Sequence, residues 1–322
     1  MNHNFYNRLL EIVSAKCVQK DAPLSKYTTF RIGGNADYFV TIRSAEQLAE
    51  TLELCKEYNV PYYMIGKGSN LLVSDAGYRG VILRMETNTN IQRVEETQEV
   101  YQRAQKLYGD VSKELAVYRC NAGAGLIPFA MEVSRAGYTG FEYATGIPGS
   151  LGGAIVMNAG AYGGEIKDNI VEATIVEQDG KKKVYQKDEL KLGYRTSILQ
   201  TNGGIVTEAV FAFQKGEEES IMSRVKELSE QRKTKQPLEF PSAGSTFKRP
   251  EGYFAGKLIM DAGLRGFQVG GAKVSEKHCG FVINAGNATA KDVIELIHEV
   301  QRIIQEKFNV KLETEVKFLG EF

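Results

Sequence analysis

Several features that would assign the chain to a common functional class are scarce in its 322 residues. The apolar stretches fall short of the ~20 residues that a membrane span needs. The first residues lack the apolar block and the small-residue cleavage site of a signal peptide. Forty basic and forty acidic side chains cancel, which argues against a nucleic-acid binder. These absences predict a cytoplasmic protein with neither a nucleic acid nor a membrane as partner.

Cysteine and histidine are also rare, which bears on metal sites and disulfides. The cysteines have no CxxC spacing, which favours reduced thiols over disulfides or zinc: Cys17, Cys55, Cys120 and Cys279. The histidines are scattered along the chain: His3, His278 and His298. We therefore expect no metal ion. The length predicts two or three domains, and a hydrophobic content of 43% is enough for a well-packed core.

Glycine, in contrast, is concentrated in one segment. Nine glycines fall within residues 137–164, around the sequence GIPGSLGGAIVMNAGAYGGEI at 146–166. A second glycine-rich turn, GKGSNLLVSD at 66–75, follows an apolar run. Ordered glycine marks backbone with positive φ or a close approach. Two such turns indicate a long ligand whose pyrophosphate is bound by backbone amides, although the GxGxxG fingerprint of a Rossmann site is missing.

The segment SAGSTFKRP at 242–250 places Ser245 directly after a glycine and Lys248 three residues later. Three interpretations of Ser245 remain open from the residues alone. It is a nucleophile paired with Lys248, a turn serine bonded to nearby backbone, or a proton donor or phosphate ligand. No histidine stands in a recognisable triad context.

Two further charged residues stand in short polar motifs. Arg195 lies in GYRTSIL at 193–199, and its guanidinium is suited to a carboxylate, although a surface arginine is the commoner case. Glu315 lies in LETEVKFLG at 312–320, where the alternation predicts a strand over 312–319. A carboxylate there is usually a solvated edge residue, and the pattern alone does not select Glu315.

The remaining periodicities predict a mixed helix and strand fold. A strand is expected over 27–42, a hairpin turn at Asp179–Gly180, and helices over 95–113 and 217–233. Thr289 with Asp292 predicts the cap of a long helix near the C-terminus.

Seven motifs together resemble one enzyme family in order and spacing. They are TTFRIGG, GKGSNLLVSD, the run at 146–166, GYRTSIL, SAGSTFKRP, GGAKVSEKHCGFVINAGNATAKDV and LETEVKFLG. The chain is similar to the UDP-N-acetylenolpyruvoylglucosamine reductases, from about residue 27 to residue 320. It resembles the shorter, second type of that family, because it lacks an extra tyrosine-bearing loop.

The resemblance implies an α+β fold with a two-part FAD-binding region of the vanillyl-alcohol-oxidase/PCMH type and a C-terminal α+β substrate domain. The implied divisions are 1–85 and 86–215 for the two FAD-binding subdomains and 216–322 for the substrate domain, with the last strand returning to the first subdomain. The implied cofactor contacts are Gly66, Gly68, Ser69, Asn70, Leu71, Gly146, Ile147, Pro148, Gly149, Ser150, Gly153, Asn158, Gly160 and Val206. Tyr194 and Lys248 are implied to bind substrate.

The resemblance also implies the reaction and its catalytic residues. With NADPH as reductant and FAD as bound cofactor, the enolpyruvyl nucleotide UDP-N-acetylglucosamine enolpyruvate is reduced to UDP-N-acetylmuramate for peptidoglycan. Arg195 and Glu315 are implied to stabilise negative charge that develops toward the substrate carboxylate, and Ser245 to donate the proton. The implied protein is a monomer or weak oligomer.

Two alternatives remain open at this point. One is another flavin oxidoreductase of the same fold that acts on a different small molecule. The other is a catalytically inactive protein that binds a nucleotide sugar or a flavin. The joint presence of Arg195, Ser245 and Glu315 argues against both.

Overall fold

The structure is a computed structural model that describes residues 3–87, 91–109 and 114–322. Its described residues form two compact units. Unit 1 comprises Met1–Val18, Val40–Gly66 and Leu83–Gln231, and unit 2 comprises Gln19–Phe39, Lys67–Ile82 and Arg232–Phe322. These units are interleaved in sequence, whereas the family resemblance implies three consecutive functional segments. Compactness and function are different criteria, so that division stays a prediction.

Helices occur along the whole described chain. Their bounds are α1 His3–Ile12, α2 Ala45–Glu57, α3 Gln98–Tyr108, α4 Leu126–Arg135, α5 Leu151–Val156, α6 Leu199–Asn202, α7 Glu218–Lys235, α8 Ala255–Asp261 and α9 Ala290–Phe308.

Strands alternate with these helices. Their bounds are β1 Val18–Pro23, β2 Asn35–Ile42, β3 Tyr62–Met64, β4 Leu71–Val73, β5 Tyr78–Met85, β6 Ile91–Arg93, β7 Leu115–Asn121, β8 Tyr138–Thr139, β9 Gly160–Ala161, β10 Gly164–Glu165, β11 Ile170–Val176, β12 Lys182–Gln186, β13 Ile205–Lys215, β14 Ser242–Ser245, β15 Gln268–Val269, β16 Ala272–Val274, β17 Phe281–Asn284 and β18 Lys317–Leu319.

Unit 1 contains a sheet in the order β12-β11-β13-β7-β6, with β8 also paired to β13 and antiparallel pairing in every ladder. Aromatic side chains fill its core in edge-to-face contacts; the ring centroids of Phe129 and Phe141 are 5.3 Å apart. Such pairs add to the stability that burial alone provides. The hairpin predicted at Asp179–Gly180 joins β11 to β12 and is confirmed.

Unit 2 contains a sheet in the order β14-β17-β16-β15 and a parallel pair, β18 with β4. Helix α9 covers one hydrophobic core with its buried stripe of Val293, Ile297, Val300 and Ile304. Its predicted cap is confirmed as a reciprocal capping box of Thr289 and Asp292. A further sheet has the order β1-β2-β5-β3, and the chain passes from one unit to the other within β2 and β5.

Three element boundaries differ from the sequence predictions. The strand expected over 27–42 begins only at Asn35, because Arg31 and Gly33 have φ of 57° and 133°, which interrupts an extended chain. The strand expected over 312–319 is Lys317–Leu319, with one isolated bridge at Thr314. The helix expected over 95–113 is Gln98–Tyr108, and residues 110–113 lie outside the described part of the chain.

Within residues 3–87, 91–109 and 114–322, no helix is both long and apolar enough to cross a lipid bilayer. Over the same described residues there is no cluster of three or more His, Cys, Asp or Glu side chains suited to a metal ion. The cytoplasmic location stays a prediction.

Candidate functional site

The glycine-rich run of unit 1 begins with an irregular loop and continues into a short helix. Gly146 ends a 3-10 turn, residues 147–149 follow it as a loop, and Pro148 is exposed there. Ser150 is buried and caps α5, where its Oγ accepts a hydrogen bond from the Gly153 backbone N–H at 3.4 Å. Serine at this position satisfies one of the N–H groups that a helix start leaves without a partner.

Several glycines near this run are required by the packing of the chain itself. A Cβ on Gly66 would overlap the Ser150 Oγ, and one on Gly152 would lie 2.9 Å from the Ala122 Cβ. A Cβ on Gly160 would lie 2.5 Å from the Gly164 carbonyl oxygen, across the β9–β10 hairpin. Their glycine identity therefore has a sufficient cause within unit 1. Their contact with a cofactor stays a prediction.

Asn158 connects three parts of unit 1 through its side-chain amide. Its Nδ2 donates to the Glu165 Oε2 at 3.0 Å and to the Gly193 carbonyl at 2.9 Å, and its Oδ1 accepts from the Lys167 backbone N–H at 2.9 Å. The residue is fully buried, with φ of 42°. These contacts assign Asn158 an internal structural role, so its predicted contact with the cofactor gains no support from its position.

Arg195 lies in a two-residue turn that Asn158 helps to hold. The turn is closed by reciprocal backbone hydrogen bonds between Gly193 and Thr196 at 3.1 and 3.2 Å. Arg195 has φ of 56°, a left-handed conformation that costs a non-glycine residue about 1–3 kcal/mol. Its Nη2 donates to the Gly160 carbonyl at 2.9 Å, and its guanidinium lies 5.2 Å from the ring centroid of the half-exposed Tyr194. The guanidinium is thus directed by both backbone and side-chain contacts.

Glu165 places a negative charge close to Arg195. Burial raises the pKa of the Glu165 carboxyl, but hydrogen bonds from Lys167 and Asn158 and the charges of Lys167 and Arg195 outweigh this, so the pKa lies below its usual range. The Lys167 Nζ lies 2.7 Å from the Glu165 Oε2. Glu165 is therefore an anion at neutral pH, and the charge of Arg195 is among the interactions that favour this form.

Tyr143 is an unsatisfied polar group in the same unit. Its ring packs on Gly164, where a Cβ would overlap the ring. Its hydroxyl is buried and has no hydrogen-bond partner among the described residues. Burial, followed by the negative charges of Asp168 and Glu165, raises its pKa well above the usual value. A buried neutral phenol without a partner is a donor suited to a bound ligand or water.

The remaining predicted cofactor contact of unit 1 is Val206. It is buried in β13, opposite Ile175 of β11.

Unit 2 contains the second glycine-rich turn. Gly68 has φ of 61°, and a Cβ there would overlap the Tyr27 carbonyl oxygen. The backbone N–H groups of residues 67–70 donate no hydrogen bond to any other residue that the structure describes. Successive unbonded amides in a turn suit a phosphate. The residues present therefore fit a diphosphate such as that of FAD, and the contacts of Gly68, Ser69 and Asn70 with it stay a prediction. Leu71 is buried at the start of β4.

Asn70 also holds the segment that carries Glu315. Its Nδ2 donates to the Glu315 carbonyl at 3.1 Å, and its own carbonyl accepts from the Lys317 N–H at 3.0 Å. The Glu315 N–H donates to the Thr246 carbonyl at 2.8 Å. Glu315 itself is half-buried. One side chain of the glycine-rich turn thus fixes the backbone of a predicted catalytic residue.

Ser245 stands at the end of β14, one residue before Thr246, so unit 2 brings it close to Glu315 in the fold. It is exposed, and its hydroxyl forms no hydrogen bond with another described residue. The turn-serine interpretation therefore has no supporting bond. Lys248 Nζ is paired with the Glu313 Oε2 at 3.1 Å, which gives no support to a Ser245–Lys248 nucleophile. Ser245 remains available as a proton donor.

Sequence reasoning missed three residues that the structure singles out. Asp75 accepts hydrogen bonds from the backbone N–H groups of Ala290 and Lys291 at the start of α9, at 2.9 and 3.1 Å. Gln200 and the buried Tyr143 accompany Arg195 in unit 1. No local pattern marks Asp75 or Gln200, because both bond to backbone groups and the partners of Asp75 are distant in sequence. None marks Tyr143, whose hydroxyl has no hydrogen-bond partner among the described residues.

Two family models match the chain. Residues 36–184 match an FAD binding domain, and residues 236–319 match the C-terminal domain of UDP-N-acetylenolpyruvoylglucosamine reductase. The chain is 54% identical to the reductase of that name from Lachnoclostridium phytofermentans, covering 100% of this chain and 99% of the relative. It is 47% identical to the one from Clostridium botulinum, over the full length of both.

Solved structures give the same result for the fold. The reductase structure from Thermus caldophilus matches with a TM-score of 0.75 and 35% identity, over 94% of this chain and 99% of that one. A VAO-type flavoprotein from Myceliophthora thermophila matches with a TM-score of 0.56 at 9% identity, over 95% and 85%. The predicted α+β fold, with an FAD-binding region of the VAO type followed by a C-terminal domain, is confirmed.

Proposed function

Because the chain belongs to the UDP-N-acetylenolpyruvoylglucosamine reductase family, we propose that it reduces UDP-N-acetylglucosamine enolpyruvate to UDP-N-acetylmuramate with NADPH. The observation that carries the proposal is full-length identity of 54% to a reductase of that name, together with Arg195, Ser245 and Glu315 all being present. Bound FAD would supply the hydride-transfer chemistry.

Binding of FAD would use backbone amides in preference to charged side chains. The unbonded N–H groups of residues 67–70 are donors for the diphosphate, and the loop at 146–149 would lie along the flavin. The Tyr143 hydroxyl is a further donor, because it has no partner within the described residues.

Three side chains of this chain would act on the substrate. Arg195 would bind the substrate carboxylate with its planar guanidinium, and the Glu315 carboxyl, in its protonated form, would donate a hydrogen bond as negative charge develops there. Ser245 would deliver a proton to the carbon next to the carboxylate. A serine hydroxyl is a weak acid, but an enolate is a strong base, so a neutral hydroxyl suffices. Lys248 and Tyr194 would bind the substrate or a nucleotide phosphate.

The test is purification followed by two measurements. The protein should carry a yellow cofactor that chromatography identifies as FAD. It should oxidise NADPH rapidly in the presence of the enolpyruvyl nucleotide, with UDP-N-acetylmuramate identified by mass. NADPH oxidation without conversion of that nucleotide would instead indicate another flavin oxidoreductase. A folded protein that cannot be loaded with FAD would overturn the proposal.

A further inference from the structure

Gln200 makes two hydrogen bonds that no predicted role explains. It lies in α6, five residues after Arg195, and is half-buried. Its Nε2 donates to the Arg195 carbonyl at 3.0 Å and to the Val156 carbonyl at 3.0 Å. Both partners are acceptors, so the amide must present its NH2 group to them.

The first of these bonds holds a strained residue. Arg195 has φ of 56°, and non-glycine residues keep such a conformation only where surrounding contacts impose it. Its neighbours Gly193 and Thr196 close the turn, and the Gln200 side chain donates to the Arg195 carbonyl itself. Loss of this bond would let the Arg195 peptide rotate, and the direction of the guanidinium would change with it.

The second bond connects the turn to the glycine-rich run. Val156 is the last residue of α5, where helical carbonyls lack a partner within the helix. Its carbonyl accepts from the Gln200 Nε2 and from the Ser197 Oγ at 2.7 Å. Gln200 therefore fixes the Arg195 backbone to the helix that follows the predicted flavin-binding loop.

We propose that Gln200 is a positioning residue for Arg195, which keeps the guanidinium in the orientation that binds the substrate carboxylate. This inference rests on the proposed function, because it needs Arg195 to act on the enolpyruvyl substrate. Misplacing a binding group by about 1 Å can cost about 100-fold in rate. The effect should fall on the half-reaction that uses the substrate.

The experiment is a double-mutant cycle on the FAD-loaded protein, with Gln200→Met, Arg195→Ala and the pair. Methionine keeps the length of glutamine but cannot donate. Stopped-flow absorbance measures flavin reduction by NADPH and, separately, reoxidation by the enolpyruvyl nucleotide. Gln200→Met should slow reoxidation about tenfold to 100-fold and leave reduction within about twofold. In the Arg195→Ala background it should slow reoxidation no further, since the two residues act as a unit.

Two controls separate positioning from general damage. Thr201→Val, in the same helix, removes only a hydroxyl that donates to the Ile198 carbonyl and should leave both half-reactions unchanged. Gln200→Glu keeps the shape but removes both donors, and it serves as the second variant if methionine prevents folding. Its expected result is the same.

Four outcomes would overturn the inference. Gln200→Met and Gln200→Glu could leave reoxidation at the wild-type rate while Arg195→Ala slows it, which would refute the role of Gln200 alone. Either variant could slow both half-reactions equally, or slow reoxidation by the same factor without Arg195, which would indicate a general structural effect. An Arg195→Ala variant with normal reoxidation would instead remove the proposed role of Arg195, and with it the basis of the inference.

Discussion

Replacing Asn158 should destabilise the protein strongly, because its amide joins three backbone segments inside unit 1. Asn158→Ala removes three hydrogen bonds of 2.9–3.0 Å, each contributing about 1 kcal/mol net. It also places alanine at φ of 42°, which costs roughly 1–2 kcal/mol more than asparagine does there. We expect a loss of about 3–5 kcal/mol in the free energy of unfolding.

Asn158→Asp gives a sharper test, because it keeps the shape and the acceptor but loses both donors. It places a second carboxylate where Nδ2 now lies 3.0 Å from the Glu165 Oε2. Two carboxylates this close share a proton, which raises the pKa of the pair in the folded state above its value in the unfolded chain. The folded variant then binds more protons than the unfolded one near pH 5, so its deficit shrinks as the pH falls from 7 to 5.

Urea unfolding followed by circular dichroism at pH 7 and pH 5 measures both variants against wild type. The deficit of Asn158→Ala should change little between the two pH values, since alanine does not titrate. A loss below about 1 kcal/mol for Asn158→Ala would refute the assignment of Asn158 as an internal hydrogen-bonding centre. A pH-independent deficit for Asn158→Asp would refute its contact with Glu165.

Two further predictions concern stability in unit 2. Asp75→Ala should lower the free energy of unfolding by about 1–2 kcal/mol, because the Asp75 carboxylate accepts two backbone N–H bonds at the start of α9. Asp75→Asn should lower it by less. Urea unfolding measures both variants, and an Asp75→Ala variant as stable as wild type would contradict this role. Burial lowers the pKa of His278, whose Nδ1 accepts from the Gly280 N–H at 3.1 Å. As the pH falls below about 6.5, the unfolded chain therefore binds a proton at this histidine before the folded protein does. Between pH 7.5 and 5.5, the free energy of unfolding should fall more for wild type than for His278→Gln. Equal falls in the two proteins would contradict this.

Local sequence patterns correctly predicted the structural features that depend only on residues close together in sequence. The Thr289 capping box and the turn at Asp179–Gly180 depend on neighbours within a few residues, and both are confirmed. The extended chain expected over 27–34 failed, because Arg31 and Gly33 have positive φ, which no hydrophobic alternation encodes. Of the strand expected over 312–319, only Lys317–Leu319 forms a ladder, and residue Thr314 makes one isolated bridge with Phe247, which is distant in sequence.

The candidate site shows the same division between local and distant causes. Glycine density pointed to a ligand with a pyrophosphate, but Gly66 and Gly152 are also required by contacts with Ser150 and Ala122, which the sequence could not indicate. Ordered motifs identified the family where single residues left alternatives open. The hydrogen bond from Gln200 to the Arg195 carbonyl matters because Arg195 has a positive φ, and only the structure shows this backbone conformation.

The most direct test of the proposed chemistry is the Ser245→Ala variant, measured one half-reaction at a time. Positioned proton transfer is typically worth about 10²–10⁴-fold in rate. Flavin reduction by NADPH should stay near the wild-type rate, and reoxidation by UDP-N-acetylglucosamine enolpyruvate should fall by about that factor. An equal fall in both rates, or a wild-type rate of reoxidation, would contradict the assignment of Ser245 as the proton donor.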